Sequence, residues 1–167
     1  DQCRAPSIGT APVPTNLTPE AAKSALNQSN LWMPMAAEGK DFPDVPGEIA
    51  SMADEAHRCA SIGAYRAAIM SARAVVEATC KEHGIVDGTL YTKIEKLHAA
   101  GKIGPLVKDE VTEIRLMGND MAHGDLGEAP TGDDAGECLA YMAELLEEVY
   151  QRPARVEARA AKRAGSS

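Results

Sequence analysis

Apolar residues recur at intervals of three and four throughout the segment from Val45 to Tyr150, a spacing that places them along one face of an α-helix. Because the 167 residues include only one Phe, one Trp and four Tyr, the core has to be assembled from Ala, Leu, Ile, Val and Met. The sequence therefore predicts an all-α fold, an antiparallel up-and-down bundle of four to five helices without a sheet. Short breaks between the helices are marked by Gly63, Gly84, Gly101 and Pro105.

The breaks divide the segment into five predicted helices. They run at about residues 46–63, 64–83 and 89–100, from Pro105 through the stretch RLMGNDMAHG, and from Thr131 to Tyr150. The second is apolar nearly all round, which is typical of a central helix. The last begins with Thr131 and Asp134 at the spacing of a capping box.

Seven of the ten prolines lie at or before Pro46, which indicates an extended arm ahead of the bundle. The arm has one short predicted helix, from an N-cap at Thr18 to about Asn27. Its apolar residues are predicted to fold it back onto the bundle, with a partner-binding patch as the alternative; they are Trp32, Met33 and Met35. The predicted domains are a proline-rich N-terminal arm at residues 1–44, the bundle at residues 45–150 and a C-terminal tail at residues 151–167.

The tail is basic. It contains four Arg and one Lys against one Glu, a net charge of +4, so the rest of the chain carries −12 within a total of −8. We predict a solvated or fraying tail, and the alternative is an electrostatic handle for an anionic partner. The total charge argues against a general nucleic-acid binder, because phosphate affinity comes mainly from accumulated Lys and Arg.

The cysteines indicate a reducing compartment, and we predict a cytoplasmic protein. Cys59, Cys80 and Cys138 fall within helical patterns and are expected to be small buried apolar residues. Cys80 and His83 are three residues apart, but two ligands do not make a zinc site, so no metal and no cofactor are predicted. No apolar run approaches the length of a membrane span, so no membrane partner is predicted.

Arg115, Asn119 and His123 follow one another at i, i+4 and i+8, so their side chains share one face of a predicted helix. A neutral imidazole can accept a proton and a guanidinium can hold a phosphate, which makes this stripe a candidate site. The alternative, which we favour from the residues alone, is a hydrogen-bonded arrangement at a helix end. The stretch that follows, GDLGEAPTGD, is either a lid near the stripe or a plain connection.

The central helix carries two charged residues one turn apart, Arg73 and Glu77. An almost wholly apolar helix can hold such groups only if their charges and hydrogen bonds are satisfied. We predict a structural ion pair between them, or a pairing with the stripe of Arg115 to His123. The alternative is that Arg73 is offered to a ligand.

Four segments, in this order, resemble the domain-of-unknown-function family 4145 of the HEPN (higher eukaryote and prokaryote nucleotide-binding) superfamily. They are AYRAAIMSARAVVEATC, YTKIEKLHAAGKI, EIRLMGNDMAHG and ELLEEVYQRP, and the resemblance covers about residues 45–153. It implies an up-and-down helical bundle that often dimerises, in bacterial proteins that occur alone or attached to restriction-type and other defence proteins. Many HEPN proteins are metal-independent ribonucleases in which two copies of the site face each other across a dimer.

The ribonuclease signature of that superfamily is an Arg, a polar residue just after it, and a His four to six residues beyond the Arg. Carried onto this chain, with His123 and the polar residue Asn119 in place, the position of the signature Arg is held by Gly118. Arg115 is the nearest arginine and lies outside the signature spacing. Arg73 from the central helix is the other candidate for the missing guanidinium.

Two functions from different classes are expected. The first is a non-catalytic module that forms a homodimer and docks a partner, such as a nuclease or an ATPase of a restriction or defence system, with the stripe retained to fix the bundle. The second is a metal-independent ribonuclease in which His123 is the general base on the ribose hydroxyl while Arg73 or Arg115 holds the phosphate. A nucleotide-binding sensor at the same site is a third. We favour the module, because the signature Arg is absent and the net charge opposes RNA binding.

Overall fold

The structure is a computed structural model that describes residues 8–9, 18–20, 32–33, 37–122 and 129–165. These residues fall into two units, Asp1–Ala37 and Glu38–Ser167. In the first unit, strand β1 (Ile8–Gly9) pairs antiparallel with strand β2 (Trp32–Met33). This strand pair was not predicted, because two residues per strand are too few to show the alternation that marks a strand in a sequence.

The arm contains one further described segment. Pro19 and Glu20 are helical, in agreement with a helix that starts at Thr18. The remainder of that predicted helix, and Met35, lie outside the described residues. The predicted contact between the arm and the bundle stays a prediction.

All the regular elements in the described part of the second unit are helices, which confirms the predicted fold class. The first five helices match the predicted ones to within a few residues. No helix in the described ranges combines the length and apolar character that crossing a lipid bilayer requires. In chain order the elements are α1 (Gly47–Ser61), α2 (Tyr65–Glu82), α3 (Leu90–Ala99), α4 (Pro105–Ala122), α5 (Gly132–Leu146), a π-helical turn (Glu147–Gln151) and α6 (Arg152–Ala164).

The helical unit begins at Glu38, ahead of the predicted start at residue 45. The backbone N–H of Glu38 donates to Ser61 Oγ at 2.8 Å, and that of Lys40 donates to Asp54 Oδ1 at 3.0 Å. Both acceptors are on α1. Hydrogen bonds from an irregular backbone leave no periodic pattern in a sequence, so the sequence could not show this attachment.

Helix α2 is the central element, and it packs against α1, α3, α4 and α5. Burial raises the pKa of the Cys80 thiol on α2 to about 11 and that of Cys138 on α5 to about 12. Both are free, protonated thiols that pack as small apolar residues, as predicted. The buried positions of α2 are mostly small or β-branched, which lets its neighbours approach closely; they are Ala68, Ile69, Ala72, Val75, Val76, Thr79 and Cys80.

The chain continues beyond α5 through the π-helical turn into α6. The backbone N–H of Arg152 donates to the carbonyl oxygen of Glu147, five residues back. Pro153 explains this turn, because its ring clashes with the carbonyl of the residue four positions earlier and it has no N–H to donate. Helix α6 has no buried residue, so the segment predicted to be a solvated or fraying tail is an exposed helix. Its Ala, Arg, Lys and Glu favour a helix by propensity alone, without an apolar stripe that would reveal it.

Candidate functional site

Two of the three residues of the predicted stripe lie on α4. Arg115 and Asn119 are one turn apart, and both are half-buried. His123 and residues 124–128, the first part of the predicted lid, lie outside the described residues. The role of His123 in a functional site therefore stays a prediction.

Arg73 crosses from α2 to α4 and bonds to the backbone there. Its Nη1 donates to the carbonyl oxygen of Arg115 over 2.7 Å. The side chain reaches this acceptor by passing Gly118, where an added Cβ would lie 2.8 Å from Arg73 Cδ. Glycine leaves this space open for Arg73, which is a structural reason for a glycine at position 118, where the signature would have an Arg.

The predicted ion pair between Arg73 and Glu77 is wrong, and Arg73 bonds instead to the backbone carbonyl of Arg115. Glu77 binds Lys93 on α3 at 2.9 Å and Lys81 on α2 at 3.0 Å. The Lys93 side chain is only 6% exposed, so its ammonium group depends on this carboxylate for compensation. The one-turn spacing of Arg73 and Glu77 was visible in the sequence, whereas the contact between two helices was not.

Arg115 stacks on an aromatic ring. Its guanidinium carbon lies 5.6 Å from the centre of the Tyr91 ring on α3, within the range of a cation–π contact. Its Nε is buried and has no hydrogen-bond acceptor within the described part of the chain. Among the described residues, no carboxylate forms an ion pair with Arg73 or Arg115. One of the two guanidinium groups is thus held by a carbonyl, and the other lies against the Tyr91 ring.

We call this region, formed by Arg73, Arg115, Gly118 and Asn119, the α2–α4 seam. It can hold a phosphate or a carboxylate through Arg115, but a general base would have to come from His123. No group of three or more His, Cys, Asp or Glu in the described ranges is placed to bind a metal ion.

Sequence reasoning missed Tyr91 and Lys93. Lys93 had a signal that could have revealed it, because it lies three residues after Leu90 and four before Leu97 and therefore falls on the inward face of α3. A lysine on such a face needs a carboxylate from a neighbouring helix. Tyr91 is half-exposed and had no comparable signal.

Helix α6 carries a second charged surface. Its arginines lie on one side, next to the exposed Val156, and line a groove of about 330 Å³. At the start of the helix, the Glu147 carboxylate binds Arg155 and lies 3.7 Å from Arg152 Nε. The charges of the predicted tail are therefore presented along one side of a helix. The arginines that line the groove are Arg152, Arg155, Arg159 and Arg163.

Comparison with known families adds one match. The model of a domain of unknown function, DUF4145, matches residues 54–163, about two thirds of the chain. The matched range includes the α2–α4 seam and all but the last residue of α6. No curated protein and no solved structure matches the chain.

Gly118→Ala should destabilise the fold by about 1–3 kcal/mol, the usual cost of overpacking, even though alanine is the better helix former. The added Cβ would press on Arg73, which has to shift and weaken its bond to Arg115. Chemical denaturation measures the change. In a chain that also carries Arg73→Ala, the penalty should disappear, because the two positions are coupled.

The matched control for this prediction is Gly136→Ala on α5. An added Cβ there meets nothing within 4 Å, so the substitution should stabilise the fold by roughly 0.5–1 kcal/mol. Equal effects of the same sign at the two glycines would show that Arg73 does not occupy the space at Gly118.

Glu77 should make the fold sensitive to acid. Hydrogen bonds from Lys93, and then from Lys81, hold the pKa of Glu77 below its usual value of 4.5. A carboxyl group with a lowered folded pKa contributes stability above its unfolded pKa and loses it as the pH falls through the folded value. Glu77→Gln should therefore lower the free energy of unfolding at neutral pH and flatten its decline below the unfolded pKa. Thermal unfolding in a pH series measures both effects.

The size of this effect depends on the burial of Lys93. Glu77 is 39% exposed, so we expect a cost of about 1–3 kcal/mol, below the range for a fully buried pair. Glu95→Gln is the matched control, because Glu95 is 37% exposed but its partner Lys108 is more exposed than Lys93. This control should cost less than about 1 kcal/mol. An equal cost at the two positions would contradict the role given to Lys93.

Proposed function

The chain belongs to the DUF4145 family, and from its own geometry we propose that it is a non-catalytic helical module that docks a partner through α6. The observation that carries this proposal is the exposure of α6, a helix of 13 residues of which none is buried. Helices of this length are marginal in water and usually gain their stability by packing against other elements. A helix that has no residue in the core of the bundle and presents arginines on one side is suited to binding an anionic surface.

The α2–α4 seam supports the non-catalytic part of the proposal. Arg73 is one of the two candidates that could replace the missing signature Arg, but it is engaged with the carbonyl of the other, Arg115. Gly118 leaves the room that this contact needs. The guanidinium that a phosphate would require from α2 is thus used to hold two helices together.

The proposed partner is another protein. The HEPN resemblance implies a homodimer, or a nuclease or ATPase of a restriction or defence system. The free buried thiols of α2 and α5 support a reducing, cytoplasmic setting for such a complex.

One observation favours a second candidate function, a metal-independent ribonuclease. Arg115 is half-buried, and its Nε has no acceptor in the described ranges. A phosphate could therefore bind to Arg115 while His123 accepts the proton of the ribose hydroxyl. The attacking 2′-oxygen would displace the 5′-oxygen of the next nucleotide and leave a cyclic phosphate.

The stripe is tested by His123→Ala. If the stripe is structural, the purified protein should not cut single-stranded RNA without added metal. The substitution should then lower stability by roughly 1 kcal/mol, because it removes a hydrogen-bonding partner at a helix end. Gel analysis of the RNA and thermal unfolding measure the two effects. Metal-independent cleavage that is lost in the variant, without a change in melting temperature, would refute the non-catalytic proposal.

The docking role of α6 is tested by ending the chain after Gln151. The bundle should keep its free energy of unfolding to within about 0.5 kcal/mol, because none of the removed residues in α6 is buried. Ending the chain after Leu146 is the control. It also removes the hydrogen bond from Gln151 to the Pro43 carbonyl at 3.0 Å and the half-buried Tyr150, and it should be measurably destabilising. If the chain that ends at Gln151 is already unfolded, α6 is a structural element and the docking role is wrong.

A further inference from the structure

The exposed side of α5 and the exposed side of α6 carry matching residues in reverse order. With about 100° per residue, positions spaced four, three and four apart lie within an arc of about 60° and form one strip. All eight residues are exposed. The acidic face of α5 consists of Asp133, Glu137, Ala140 and Glu144, and the basic face of α6, read from its C-terminal end, consists of Arg163, Arg159, Val156 and Arg152.

The π-helical turn places the two faces on the same side of the chain. Glu147 follows Glu144 by three residues and so continues the acidic face. The backbone N–H of Arg152 donates to the Glu147 carbonyl, and Arg152 Nε lies 3.7 Å from Glu147 Oε1. In an uninterrupted α-helix, a residue five positions further on would point about 140° away. The turn therefore produces a single strip that is acidic along α5 and basic along α6.

We propose that two copies of this chain pair through this strip, antiparallel, about a two-fold axis at residue 148. The basic face of each copy then lies on the acidic face of the other, as a symmetric interface requires. The inference rests on the docking role proposed for α6 and names its partner as a second copy of the chain. The pairs are Arg152 with Glu144, Val156 with Ala140, Arg159 with Glu137, and Arg163 with Asp133.

Charge complementarity is the argument for this partner. The C-terminal segment carries +4 and the rest of the chain −12, so the acidic face of a second copy is complementary in charge to the basic face of α6. Glu144 lies in an acidic neighbourhood, where burial first, and then Glu144 and Glu148, raise the pKa of Glu110. An arginine from a second copy would lower the repulsion among these carboxylates.

The centre of each contact is suited to close approach. Val156 is exposed on the basic face and would meet the small side chain of Ala140, which leaves room for two helices to pack. Glu148, which falls on the axis, accepts a hydrogen bond from the Gly104 N–H at 3.2 Å. Its carboxylate is thereby held toward the α3–α4 connection of its own copy and does not oppose its symmetry mate.

Sedimentation equilibrium of the full chain tests this pairing. The wild-type chain should be a dimer at physiological ionic strength and should dissociate at high salt, because its contacts are exposed ion pairs. Arg159→Glu or Glu137→Lys should each weaken the dimer by at least about tenfold, since each places like charges in both symmetric contacts. An equimolar mixture of the two variants should restore the dimer as a heterodimer, because every reversed charge then meets a reversed partner.

Two control variants distinguish an effect of the charges on the strip from an effect of the net charge of the chain. Lys102→Glu and Glu55→Lys make the same charge changes at exposed positions off the strip, and they should leave the dissociation constant of the dimer unchanged. Circular dichroism checks that each variant remains helical.

Four results would overturn the pairing. They are a chain that is monomeric at every concentration, a dimer that Arg159→Glu leaves intact, a pair of variants that stay monomeric when mixed, and an off-strip control that dissociates the dimer equally. Salt-sensitive binding of single-stranded RNA by a monomer, abolished by Arg159→Glu, would also overturn it and assign the basic face to a nucleic acid. The stability of the chain that ends at Gln151 tests the docking role separately, so a monomeric wild-type chain overturns only the choice of partner.

Discussion

The enclosure of α2 by four other helices is the constraint on which the rest of the bundle depends. A polar side chain of α2 that is partly withdrawn from water is stabilised when it finds a partner on a neighbouring helix. Arg73 does so by bonding to a carbonyl of α4, and Glu77 does so by pairing with Lys93 of α3. These two contacts tie α2 to the helices on either side, so the charges of the central helix act as connections within the fold.

The sequence predicted the helices well because their apolar residues recur with a period that any buried helix must show. The same pattern placed Glu77 and Arg73 on one helix but could not choose their partners. Their one-turn spacing indicated a bond between them, whereas the structure directs each to a different helix. Partner choice depends on how far apart the helix axes lie and how they are rotated, and neither quantity is encoded in a period. Gly118 is a second case in which the sequence pattern is not enough. Its role in making room for Arg73 can be recognised only from the structure, where Arg73 passes beside it.

The basic segment after the bundle was the least predictable part, for two physical reasons. Its helix is formed by residues with high intrinsic propensity, which produce no apolar stripe. The orientation of its arginines then depends on the π-helical turn at Glu147, which rotates everything that follows it. Composition could show that the segment was basic, but only the turn determines that Arg152 faces the same side as Glu147. A single proline, Pro153, is therefore enough to change which surface the charges share.

A chain with a net charge of −8 can still use a basic face, because charge acts over a limited distance. At about 0.1 M ionic strength, exposed charges separated by more than roughly 10 Å are largely screened. At long range two copies of this chain repel each other weakly, while at contact each basic face senses mainly the carboxylates opposite it. A polyanion such as RNA has to compete with the acidic face of α5 in the second copy for the arginines of α6. Along the strip, an acidic face adjoins a basic face on one continuous helix. This arrangement favours a partner with positive and negative faces in the reverse order over a partner with charges of one sign only.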